Sequence, residues 1–117
     1  MQSIFGKKTP EIPDPNPLLI LGDQARFCIT KYEEQQRALF KEQLIANEVK
    51  LHDVVINAAK KGIRESELFT SYIDEKFFPR ELANEWESKH DIQIRCMEGY
   101  YNSYRSTVVY VGIGPRK

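Results

Sequence analysis

The chain lacks a net charge: 17 Lys and Arg are matched by 17 Asp and Glu over its 117 residues. Without an excess of positive charge there is no broad electrostatic footprint for nucleic acid or an anionic membrane, so neither is an expected partner; only a local basic patch escapes that argument. Long apolar runs are missing too. The longest uncharged stretch, Ser106 to Pro115, is far too short to cross a bilayer as a helix. No apolar core of signal-peptide length follows Lys7 and Lys8. A soluble protein made in a cytoplasm is the expectation. Cysteine is scarce: Cys28 and Cys96 lie far apart with no CxxC partner, which reads as two buried free thiols, with a disulfide between them as the alternative. Gly62, Gly99, Gly112 and Gly114 are scattered, so no glycine-rich loop exists to cradle a phosphate, and no HExxH pattern marks a metal site. These absences leave no cofactor and no small-molecule substrate to infer.

What is present starts with proline. Pro10, Pro13, Pro15 and Pro17 fall in a polar setting within residues 1–17. Proline fixes φ and has no backbone donor, so this segment is expected to be an extended arm, close to polyproline II. Residues 18–117 then form a single small domain. Ile4, Phe5 and Ile12 are apolar anchors by which the arm would lie on a neighbouring subunit.

Leu18–Leu21 is a short apolar run ended by Gly22, either a small strand or the lead into a helix, with Asp23 as N-cap. From Ala25 through Ile29, Tyr32, Leu39, Phe40, Leu44, Leu51, Val55 and Ala58 the apolar residues recur mostly at three- and four-residue steps, the helical period. The spacing predicts either one long helix from Asp23 to Lys61 or two broken near Asn47–Asp53, with Asp53 as second N-cap. Lys60-Lys61-Gly62 is a stop signal: cations in the last turn, then a residue free to turn left-handed. Leu68, Phe69, Tyr72 and Ile73 predict a further short helix, and Pro79 opens another that carries Leu82 and Trp86 and ends by His90–Asp91.

IQIRCMEGYYNSYRSTVVYVGI, residues 92–113, predicts an antiparallel hairpin. With Asn102-Ser103 at the turn, Tyr101 opposes Tyr104, Cys96 opposes Val109, Ile94 opposes Val111 and Ile92 opposes Ile113. One face is then apolar at all six of its outer positions, and a one-residue slip would destroy the match. The fold class is α+β: an extended arm, two to four helices with one long, and a C-terminal antiparallel hairpin that lays its apolar face on Leu82, Trp86, Leu68 and Tyr72. Its free edges invite strand addition from another chain. At its far end Tyr100, Tyr101, Tyr104 and Arg105 are of the residue types that anchor interfaces.

Two chemical alternatives compete with a structural role. His52-Asp53 and His90-Asp91 would bind a metal or act as bases if the fold united them, but both sit at expected helix ends, where these residues are ordinary caps. Cys96 falls on the apolar hairpin face, where burial makes a thiol inert. Ala58, Gly62 and Ile63, followed by Leu68 and Ile73, resemble a helix-turn-helix over about twenty residues. That resemblance implies a small DNA-binding regulator using residues 53–76. Its reader helix would carry Arg64 but also Glu65, Glu67, Asp74 and Glu75, which oppose phosphates, and it puts Ser71 where an apolar residue belongs.

Across residues 50–113 the plan of a helix ending AxxxG, a short helix, and an amphipathic helix feeding a C-terminal hairpin resembles many small proteins of tailed bacteriophages. It implies a virion component or host-modulating protein, acting in the host cytoplasm or in the virion. The leading expectation is a non-enzymatic structural or interaction subunit with a protein partner, chiefly itself, in a homo-oligomer or larger assembly. The interaction residues are Ile4, Phe5, Ile12, Tyr100, Tyr101, Tyr104 and Arg105.

Overall fold

Helix α1 runs without a break from Leu21 to Ala46 in the computed structural model, which describes residues 12–101 and 104–114, leaving aside the side chains of Tyr101 and Tyr104. A turn closed by Asn16 leads into it: the Asn16 side chain accepts from the Leu18 N–H at 3.0 Å, and its carbonyl accepts from Leu19. Leu18–Leu21 is thus the lead into a helix and not a strand. Asp23 lies in the first turn and pairs with Arg26 at 2.6 Å.

The chain divides into two compact units, Met1–Gln36 and Arg37–Lys117, and the division falls inside α1. In the second unit the helical pattern breaks, and of the two readings the spacing leaves open the chain takes the broken one. A 3-10 turn, Glu48–Lys50, separates α1 from α2, Leu51–Lys60. Asp53 is inside the first turn of α2 and not its N-cap, which is Lys50. At the other end Gly62 takes φ 74°, its N–H bonds the Ala59 carbonyl, and Ile63 bonds Ala58. These two bonds are the Schellman stop that Lys60-Lys61-Gly62 foreshadows.

Leu68–Ile73 is not helical. Glu65–Ser71 is a strand, β1, with a bulge between Glu67 and Phe69. The helix-turn-helix reading of residues 53–76 therefore loses its second helix. A 3-10 turn over Glu75–Phe77, capped by the Asp74 carboxylate on the Lys76 N–H at 2.9 Å, leads to α3, Arg80–His90. Pro79 stands just before α3 as its N-cap, and Asp91 ends the helix in the left-handed conformation at φ 53°.

Strands β2, Ile92–Tyr101, and β3, Tyr104–Ile113, pair in the expected register: Ile92 with Ile113, Ile94 with Val111, Cys96 with Val109, Tyr101 with Tyr104. The hairpin is not a free ribbon, however. β1 adds antiparallel to β3, giving a three-stranded sheet of order β1-β3-β2. One of the two hairpin edges is thereby covered, and β2 keeps the other.

The core lies on one face of this sheet. Phe40 and Leu44 of α1, Leu51 of α2, and Ala83 and Trp86 of α3 bury against Leu68, Ile94, Val109 and Val111. Phe40 meets Phe69 and Phe78 edge-on, with ring centroids 6.2 and 5.5 Å away. Ser71 is buried despite its polarity because its hydroxyl accepts from the Ile73 N–H, while Thr107 donates to the Ile73 carbonyl at 2.6 Å.

The other face of the sheet carries a bidentate ion pair. Arg95 on β2 reaches across β3 to Glu65 on β1, with both N···O distances 2.6 Å, and its guanidinium lies over the Tyr110 ring. Hydrogen bonding from Arg95 holds the Glu65 carboxyl below the usual carboxylate range, against the opposing pull of partial burial. As pH falls, the unfolded chain therefore takes up this proton before the folded one does. The pair's contribution is complete above the ordinary glutamate range and lost as pH drops through the lower folded value. The stability difference between the parent and Glu65→Gln, read by urea denaturation, is expected to be largest near neutral pH and to shrink steadily in acid. A difference that stays constant from neutral to acid pH would refute the assignment.

Candidate interaction surfaces

The first half of α1 keeps several large apolar residues in solvent, while Phe27 and Cys28 are half-buried. Leu18 is 91% exposed and Leu21 80%, and Ile20, Ile29 and Tyr32 are exposed as well. Leu21, Ala25, Ile29 and Tyr32 follow one another at steps of four, four and three, so they line one side of the helix. The buried residues of α1, Phe40 and Leu44, both belong to its second half. Intrahelical pairs, Asp23 with Arg26 and Lys31 with Glu34, balance the charge along the exposed half.

Of the interaction residues expected from sequence, Ile4 and Phe5 lie outside the described residues, and Ile12 is half-buried. Tyr100 is exposed, while Tyr101 and Tyr104 are paired across the hairpin with side chains outside the description. Arg105 is held by Glu98 at 2.6 Å, with Asp74 4.0 Å away. The far end of the hairpin thus offers Tyr100 beside a guanidinium already engaged by carboxylates.

His52 and His90 do come together: with Glu48, Leu51, Val55, Ile56 and Ile92 they line a cavity of about 330 Å³. Their neighbours Asp53 and Asp91 do not line it; the Asp53 carboxylate sits 3.4 Å from its own neighbour, the exposed His52. Among the described residues no three His, Cys, Asp or Glu side chains are placed to hold a metal ion. Cys96 is half-buried, and loss of solvation pushes its thiol pKa up, with Glu75 adding to the shift. That is the direction that disfavours the nucleophilic thiolate.

A second groove, of about 490 Å³, has no counterpart in the sequence reading. Arg37 and Lys41 of α1, Lys76, Phe77, Phe78 and Pro79 of the connecting turn, and Arg80 to Leu82 and Glu85 of α3 line it. Its cations lie on rings: Arg37 and Lys76 are 5.5 and 5.1 Å from the Phe77 centroid, and Arg80 is 4.9 Å from that of Phe78. The local signal was the run Lys76-Phe77-Phe78-Pro79-Arg80, aromatic residues bracketed by cations. Arg37 and Lys41 join it only through the fold.

Comparison of the chain with protein-family models, with curated proteins and with solved structures found no match. No helix among the described residues is long and apolar enough to cross a membrane.

Proposed function

We propose that this chain is a non-enzymatic structural or interaction subunit that assembles with copies of itself through the first half of α1. A virion is one assembly of that kind. The observation that supports the reading is the exposed apolar side of α1, with Leu21, Ile29 and Tyr32, and the exposed Leu18 and Ile20 of the turn that leads into it. Each large side chain of this set gains about 1.5–3 kcal/mol on full burial. A second copy is the favoured occupant because the surface is compatible with itself. Its charges are balanced within the helix and the whole chain has no net charge, so no net repulsion opposes two copies meeting across a twofold axis.

Sedimentation velocity tests this. The full-length parent is expected to sediment as a dimer or larger species at micromolar concentration. Leu21→Glu with Ile29→Glu is expected to return it to a monomer with an unchanged circular dichroism spectrum, since both positions are exposed. A parent that is monomeric throughout, or a double variant that assembles like the parent, would refute the reading.

A further inference from the structure

We infer that the groove between the second half of α1, the Glu75–Phe77 turn and the start of α3 binds the phosphate group of a small phosphorylated ligand. Four cations line it, and among the described residues only Arg80 has a carboxylate within ion-pair distance, Glu87 at 3.8 Å. Arg37 and Lys76 converge on the same phenyl ring, Phe77, which is itself buried. Cations gathered in one groove repel one another, and an anion among them relieves that repulsion. The contact with Phe77 also restricts the guanidinium of Arg37 before a ligand arrives. The planar N–H fork of a guanidinium suits the oxygens of a phosphate.

The backbone adds to the same field. At the start of α3 the Arg80 N–H is taken by the Phe78 carbonyl and the Ala83 N–H by that of Pro79. Pro79 makes no side-chain cap, so the first-turn N–H groups of Glu81 and Leu82 have no intrahelical acceptor, and the positive end of the helix faces the groove. Glu81 and Glu85 also line the groove. They limit the anion to a compact head group, because an extended polyanion such as a nucleic-acid backbone would run onto both carboxylates.

The probes are inorganic phosphate and pyrophosphate, titrated into the full-length, isotope-labelled protein at constant low ionic strength, with chloride as control. Saturable amide shifts are expected at Lys76 to Leu82, stronger with pyrophosphate. Arg37→Gln and Lys76→Gln are each expected to weaken binding about tenfold, the scale of one charge-assisted hydrogen bond. Lys89→Gln, outside the groove, is expected to change nothing. Shifts that chloride reproduces, or equal affinity in all three variants, would overturn the site. Tighter binding of a DNA duplex than of pyrophosphate, lost in Arg37→Gln, would overturn the compact-ligand class and leave a nucleic-acid groove instead.

Discussion

Truncating Trp86 to alanine is expected to lower the unfolding free energy by about 3–5 kcal/mol, the range for deleting a large buried aromatic. Trp86 is 4% exposed and belongs to the central apolar cluster. It joins α3 to the core together with Ala83 and the half-buried Leu82, and α3 packs on β2. Alanine at 83 is too small to hold the helix alone. A domain of this size has roughly 5–15 kcal/mol in total, so the loss is a large fraction of it. Trp86 is the only tryptophan, so unfolding in urea must be followed by circular dichroism rather than by indole fluorescence. Trp86→Phe keeps most of the apolar volume and is expected to lose clearly less. If Trp86→Ala unfolds at the parent's midpoint, the indole carries no packing energy and the assignment of α3 to the core is wrong.

The hairpin was legible in the sequence because its alternation is strict. Ile92, Ile94 and Cys96 face Val109, Val111 and Ile113, and a one-residue slip would put the two apolar sets on opposite faces. The stop at Gly62 was legible for a local reason, a left-handed glycine, whereas the break after Ala46 was only one of two readings that the spacing allowed. β1 was not legible. Its bulge between Glu67 and Phe69 disrupts the two-residue period, so Leu68 is buried while its neighbour Phe69 also packs on the core. Adjacent apolar pairs at 68–69 and 72–73 then imitate a helical face. Ser71, polar and buried, deepened the ambiguity, since only its hydrogen bond to Ile73 explains it. The surfaces divide in the same way. An apolar stripe longer than a small core requires was visible along α1. The cationic groove joins positions 37 and 41 to positions 76 and 80, and a balanced total charge conceals it.

Gly112→Ala is expected to cost about 3 kcal/mol, the upper end for forcing an added methyl into a packed site. Gly112 sits in β3 opposite Glu65, where β1 begins. A Cβ there would lie 2.2 Å from the Arg64 carbonyl oxygen and 2.9 Å from the Glu65 Cα. Both are backbone atoms, so no side chain can swing aside. The same Arg64 carbonyl accepts from the Ile113 N–H at 3.0 Å. Making room for the methyl pushes it away, breaks that bond and frays β1 from the sheet at its first residue. Glu65 is displaced with it, which weakens its pair with Arg95. Gly62→Ala supplies the contrast. Gly62 has nothing within 4 Å of its missing Cβ, but its φ is 74°. The added methyl meets only the conformational penalty of the left-handed region, about 1–2 kcal/mol. The two substitutions are chemically identical and separate space from backbone conformation. Urea midpoints give the energies, and hydrogen exchange at the Ile113 amide gives the location: faster exchange is expected in Gly112→Ala and none beyond the global loss in Gly62→Ala. Equal midpoints for Gly112→Ala and the parent would mean that β1 does not close onto Gly112, and the third strand would then have to be withdrawn from the sheet.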